Sequence, residues 1–145
     1  MNVYISSSWK NRDRVRQLAI RLRAEGHEVY DFTDPACRKS PEIPPENFPV
    51  QFDPQIHDYV SYIQSVPEWQ LAVNCNREAL NRCDAVVLLL PCGNDAHADW
   101  AYAVGRGKMT IVAGQERPGQ RTPSHLWADL IVNTDEEVPK VLKGL

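Results

Sequence analysis

The chain of 145 residues contains no long apolar run. Its longest, Ala85 to Leu90, falls far short of the ~20 residues that a membrane-spanning helix needs, so no membrane contact is expected. The opening segment, Met1 to Ser6, has no basic flank followed by a long apolar stretch. No signal peptide is read there, and a cytoplasmic location is expected. Basic charge is scarce: 16 Lys and Arg against 19 Asp and Glu leave a net charge of −3 and a pI near 5.8. That balance argues against a binder of duplex nucleic acid, which presents a basic face. The four cysteines, Cys37, Cys75, Cys83 and Cys92, form no C-x-x-C pair. A zinc ribbon and a redox pair are therefore not expected. Cys83 and Cys92 flank the apolar run and read as small buried hydrophobes. Neither G-x-x-x-x-G-K-[ST] nor G-x-G-x-x-G occurs, which disfavours an ATPase or a Rossmann-type dinucleotide enzyme. No cofactor and no metal site are expected.

What is present reads as a globular protein. The hydrophobic share is 43% and the charged share 24%, with a length suited to one domain over residues 1–145. The charge is uneven. Residues 1–39 carry an excess of +3 and the remainder an excess of −6. The basic segment suits a small anion such as a phosphate, or is simply a solvated helix face.

Asn2 to Ser6 reads as a short strand ending in a serine cluster, Ser6-Ser7-Ser8. Val15, Leu18, Ala19 and Leu22 then recur at i, i+3, i+4 and i+7, the stripe of an amphipathic helix that Gly26 stops. His27 to Phe32 reads as a second strand. Residues 33–55 hold six prolines and read as a long loop, either a lid or side wall of a pocket or a passive excursion. A short helix is expected over Ile56 to Ser65. Pro67 breaks it, and a longer helix is expected over Glu68 to Arg82, with Leu71, Ala72, Ala79 and Leu80 apolar. Asp84 to Leu90 is the clearest strand, apolar at every position after Asp84, as when helices cover both sheet faces. Asp95 to Gly107 reads as a helix whose stripe is Ala98, Ala101, Tyr102 and Gly105, small enough to press against the sheet. Met109 to Ala113 and Ala128 to Val132 read as the last strands. Thr134-x-x-Glu137 resembles a capping box. Pro139 cannot sit inside a helix, which moves the start of the terminal helix toward Val138.

Five strands alternating with about five helices predict a doubly wound parallel sheet of order 2-1-3-4-5. Ligands of such sheets sit beyond the carboxyl ends of the strands, where the order switches between strands 1 and 3. Strand 1 brings Tyr4, Ser6, Ser7, Ser8 and Lys10 to that point. Strand 3 brings Cys92, Gly93, Asn94, Asp95, His97 and Asp99. Hydroxyls, backbone N–H groups and Lys10 suit a phosphate or a sugar hydroxyl, although serines before a helix are also ordinary caps. Read alone, Asp99 could simply complement the helix N-terminus, worth roughly 0.3–1 kcal/mol, and His97 could be a structural hydrogen-bonder. Trp9 and Trp100 are each a stacking platform for a base or a core residue.

Cys83 to Pro91 (CDAVVLLLP) followed by Asp99 to Lys108 (DWAYAVGRGK) resembles the nucleoside 2-deoxyribosyltransferase family, including its nucleotide-hydrolysing branch. That family carries a strand ending in a small-residue turn and then E-x-G-x-A-x-x-x-G-K. Val3 to Ser8 is similar to its first strand and sugar-binding loop, and Leu126 to Val132 to its last strand. The likeness covers residues 1–32 and 70–142 and leaves out the loop at 33–55. It implies a flavodoxin- or Rossmann-like fold. It also implies retaining N-glycosidic chemistry, in which a carboxylate attacks C1′ of a nucleoside and expels the base. On this resemblance Asp99 takes the nucleophile's place and Tyr4 that of the tyrosine bonded to it. Ser8 and Lys10 fall where the hydrolysing branch holds a 5′-phosphate, and Ser6, Gly93, Asn94 and His97 are further substrate-binding candidates. Homo-oligomers, a dimer or larger, are implied as well, with Ser124 to Trp127 as the candidate contribution to a neighbour's site.

Three departures stand out. Asp99 replaces Glu and shortens the reach of the carboxylate by on the order of 1.5 Å. Asn76 stands where the family's second acid is expected, and an amide can hydrogen-bond but cannot act as a general acid. Ala101 replaces a Gly. The expected function is cleavage or transfer at the N-glycosidic bond of a nucleoside or nucleoside 5′-monophosphate. The alternatives are a nucleotide-binding sensor without turnover and an NAD-type N-glycosidase.

Overall fold

The computed structural model describes residues 1–38 and 52–144. The strands are β1 (Asn2–Ser6), β2 (Glu28–Asp31), β3 (Ala85–Leu89), β4 (Met109–Ala113) and β5 (Leu130–Val132). The helices are α1 (Arg12–Ala24), α2 (Tyr59–Gln64), α3 (Pro67–Arg82), α4 (Asn94–Gly105) and α5 (Val138–Lys143). All strand pairs are parallel, in the order β2-β1-β3-β4-β5. The predicted architecture and strand order are those observed. Most of the loop read at 33–55 lies outside the described residues. No helix among the described residues is long and apolar enough to cross a membrane.

Side chains alternate between the two faces of each strand. Val3, Ile5, Val87, Leu89, Ile111 and Ala113 point toward α1 and α5, where they meet Val15, Leu18, Leu22, Val138 and Leu142. The centre of this face is apolar, and at its β2 edge the buried Thr33 hydroxyl donates to Asp31 Oδ1 at 2.7 Å. Tyr4, Val86, Leu88 and Val112 point the other way, against Ala79 and Leu80 of α3 and Ala96, Trp100 and Ala103 of α4. β3 is fully buried along its whole length, which accounts for its unbroken apolar run.

One expected stripe is overturned. Ala98, Ala101, Tyr102 and Gly105 are exposed, and α4 instead buries Ala96, Trp100 and Ala103. The physical reason is area. Burying one indole removes far more apolar surface from water than burying several Ala and Gly positions. Trp100 is 1% exposed, a core residue and not a stacking platform. On α3, Leu71 is likewise exposed, while Cys75, Ala79 and Leu80 are buried.

Smaller expectations resolve locally. Pro67 opens α3 within its first turn, where its missing N–H costs nothing. Thr134 and Glu137 form the capping box, but around a 3-10 turn at Asp135–Glu137, and α5 starts at Val138 with Pro139 in its first turn. Gly107 adopts φ 65°, in the left-handed region, just past the end of α4. The chain then reverses so that Lys108 Nζ donates to the carbonyls of Asn81 (3.0 Å) and Cys83 (2.7 Å) at the end of α3. The Gly-Lys pair therefore has a structural task, closing one helix and capping another.

Candidate active site

The buried stripe of α4 decides where Asp99 points. Residues 96, 99, 100 and 103 are spaced i, i+3, i+4 and i+7, so Asp99 shares the face that Trp100 draws against the sheet. There the Tyr4 hydroxyl donates to Asp99 Oδ2 at 2.7 Å. Tyr4 comes from β1 and is 1% exposed. Its register partner on β2 is Tyr30, and the two rings stack at 5.0 Å with planes 8° apart. The Tyr30 hydroxyl donates to Asn76 Oδ1 of α3 at 2.9 Å. One row of polar groups thus runs from α4 through two stacked phenols to α3. Because Tyr30 donates to the amide oxygen, the two N–H donors of Asn76 remain for another acceptor.

Burial dominates the electrostatics of this row. It pushes the Asp99 carboxyl up to about 6 from an ordinary 3.8. The Tyr4 hydrogen bond pulls the other way, and the charge of Asp95 adds to the rise. Burial, and then the charge of Asp99, raise the Tyr4 phenol well above its usual value. Tyr30 is raised too, again mainly by burial. Both phenols stay protonated near neutrality and donate, while Asp99 changes charge close to neutral pH.

The other sequence-predicted residues divide. Ser6 is buried and its hydroxyl donates to the carbonyl of Ala96 at 3.0 Å, tying β1 to the first turn of α4. Ser8 accepts from the Lys10 backbone N–H at 3.3 Å and caps the Trp9–Asn11 turn. The Lys10 side chain is exposed beside it. Gly93 is the N-cap residue of α4 and Asn94 its first residue, both exposed. His97 is drawn elsewhere. It lies two residues from Asp99, about 200° around the helix. Its Nδ1 lies 2.9 Å from the Gly93 carbonyl, and its Nε2 lies 3.0 Å from Nε2 of His125. Glu116 stands beside both rings. Burial first, and then His97, lower the His125 pKa, with Glu116 opposing. Burial pushes the nearby Cys92 thiol up to about 12, so it stays neutral, as expected of a buried hydrophobe.

Sequence reasoning missed three features here. Tyr30 was legible as the tyrosine of β2 in line with Tyr4. Arg38 is 7% exposed, with its guanidinium 5.2 Å over the ring of Trp9, and nothing in its sequence surroundings marks it. The grouping of His97 with Glu116 and His125 depends on the path of the loop after β4. On the other sheet face, a cavity of about 390 Å³ is lined by Arg14, Arg21, Pro91, Gly114, Asn133 and Asp135, among others. Arg14 and Asp135 neutralise one another there at 2.6 Å, and that cavity holds no counterpart of the Tyr4–Asp99 pair.

No protein-family model and no curated protein sequence matches this chain. Among solved structures, the chain is similar to the CMP N-glycosidase BcmB of Clostridium botulinum. The TM-score is 0.55 at 14% identity, over 99% of each chain. That likeness establishes a shared fold along the whole length.

Proposed function

We propose that this protein cleaves the N-glycosidic bond of a nucleoside or nucleoside 5′-monophosphate. The observation that carries the reading is the 2.7 Å hydrogen bond from a fully buried tyrosine to Asp99, beside the switch point of the sheet. A carboxylate held by one oxygen presents the other to an electrophile. Asp99 Oδ1 attacks C1′ or stabilises the oxocarbenium-like centre as the C1′–N bond breaks. The base leaves with the electron pair of that bond and takes up a proton. Water, or a second base, then attacks C1′ and releases Asp99. Tyr4 orients Asp99. Asn76 donates to the leaving base, whose proton must come from solvent or from the base's own protonated form. Lys10 and Arg38 supply positive charge for a 5′-phosphate, and Ser8, Gly93 and Asn94 line the approach. The full-length likeness to a CMP N-glycosidase favours a nucleotide over a free nucleoside. Leu126 and Trp127, 79% and 65% exposed, are the side chains that would reach a second copy in a homo-oligomer. Light scattering after gel filtration tests that assembly.

A second reading has its own observation. Asp99 is one methylene shorter than the family's Glu, and a misplacement of about 1 Å costs ~100-fold in rate. A nucleotide sensor without turnover follows if that gap is not closed. One assay decides. The protein is incubated with nucleosides, their 5′-monophosphates and NAD, and free base is followed by chromatography. Base release that disappears in Asp99→Ala supports the enzyme. Binding without release supports the sensor, and release from NAD alone supports the third alternative. A competing base added to the reaction separates transfer from hydrolysis.

A further inference from the structure

We infer that His97, Glu116 and His125 form a binding site for a zinc-class divalent cation, independent of the glycosidic chemistry. The three side chains come from α4, the loop after β4 and the 3-10 turn at Pro123–Trp127. His97 Nε2 lies 3.0 Å from His125 Nε2, and Glu116 Oε1 lies 3.6 Å and 3.8 Å from them. These separations place a point about 2.0 Å from all three atoms, and Zn–N and Zn–O bonds are ~2.0–2.2 Å. The carboxylate is too far from either ring for a hydrogen bond, yet near enough to share a cation with both.

The surroundings fit the same reading. A ligating histidine usually donates its other ring N–H to a carbonyl or carboxylate, which fixes the tautomer. His97 has that partner, since Nδ1 lies 2.9 Å from the Gly93 carbonyl oxygen, which can only accept. Nε2 is then the lone-pair nitrogen, and it faces the cluster. Glu116 is oriented in turn by the Thr122 hydroxyl, which donates to Oε1 at 3.0 Å. Its other oxygen, Oε2, is buried and meets no donor among the described residues. Trp100 packs edge-on against His125 at 5.9 Å and limits how far that ring can turn. Two imidazoles and one carboxylate favour zinc over magnesium or calcium, which prefer all-oxygen shells. Three protein ligands leave a fourth position for water or an anion. A bound cation would pin the loop after β4 to the first turn of α4, the helix that carries Asp99.

The test uses the full chain, stripped with a chelator and titrated with Zn²⁺ by calorimetry, and with Co²⁺ by visible absorption. The expected result is one site of micromolar or tighter affinity, a rise in Tm with Zn²⁺, and cobalt d–d bands without a thiolate charge-transfer band. His125→Ala and Glu116→Gln should each weaken binding at least tenfold, while Cys37→Ser leaves it unchanged. Circular dichroism confirms that each variant is folded. If the variants do not fold, the wild-type cobalt spectrum decides: a thiolate band, or no d–d bands, overturns the assignment. Absence of binding, or binding that survives both substitutions, overturns it as well.

Discussion

The two faces of the central sheet are built on opposite terms. Toward α1 and α5, the packed centre is apolar, and the buried polar pair of this side, Asp31 and Thr33, sits at the β2 edge and bonds within itself. Toward α3 and α4, the same strands present Tyr4, Ser6 and Tyr30, and the helices answer with Asn76 and Asp99. The apolar centre of the first face gains stability from each group it buries. The second buries a titratable carboxyl whose ionised form costs free energy to hold. Strained or costly groups persist only where the rest of the fold over-determines them. Here the aliphatic face supplies that support, and the polar face is where chemistry is expected.

The contrast can be broken from either side. The largest effect on stability belongs to the aliphatic face. Leu18→Ala, at a fully buried position of α1, should cost about 2–5 kcal/mol in denaturant unfolding. It should leave the affinity of any nucleotide ligand unchanged while the protein is folded.

The polar face should respond with the opposite sign. Asp99→Asn keeps an acceptor for Tyr4 and removes the buried charge. Because the folded-state pKa of Asp99 lies at about 6 against 3.8, the native chain binds more protons than the unfolded chain between those values. Asp99 therefore subtracts stability as pH rises through that window. The variant should be more stable than wild type by about 1–3 kcal/mol at pH 8, and by almost nothing at pH 3, where the carboxyl is protonated in both states. Chemical denaturation at the two pH values reads the difference directly.

Tyr4→Phe sharpens the contrast within the polar face. The hydroxyl lowers the Asp99 pKa, so its loss should move the acid limb of kcat/KM upward from about 6. Turnover at pH 7 should fall about tenfold, equivalent to ~1.4 kcal/mol of barrier. The smallest effect is expected at the edge of both regions. Lys108→Met removes two hydrogen bonds to the end of α3 and should cost about 1 kcal/mol without altering the pH profile.

Much of this arrangement was legible in the residues. The alternation of apolar runs with helical stripes gave the strand order, because β3 could be apolar throughout only with helices on both sides. The switch-point rule then brought Tyr4 and Asp99 together from positions far apart in the chain. The misread helix face has a clear cause. Counting small residues as a stripe at Ala98, Ala101, Tyr102 and Gly105 ignored how much more area Trp100 contributes. Weighting positions by area selects the face that also carries Asp99. The grouping of His97, Glu116 and His125 was not legible, since no local period links them. The sequence pattern groups His97 with the substrate contacts, whereas its ring turns toward Gly93 and His125. It groups Ser6 there too, and that hydroxyl donates to the Ala96 carbonyl. Arg38 is placed by a turn after β2 that carries no motif.

On the proposed function, the carboxylate held by Tyr4 performs the chemistry. The most direct test is the rate of free-base release from a nucleoside 5′-monophosphate by wild type and by folded Asp99→Ala, assayed at pH 8. Measurable release by wild type and a loss of about 10³-fold or more in the variant are expected. Release by the variant at the wild-type rate would contradict that function.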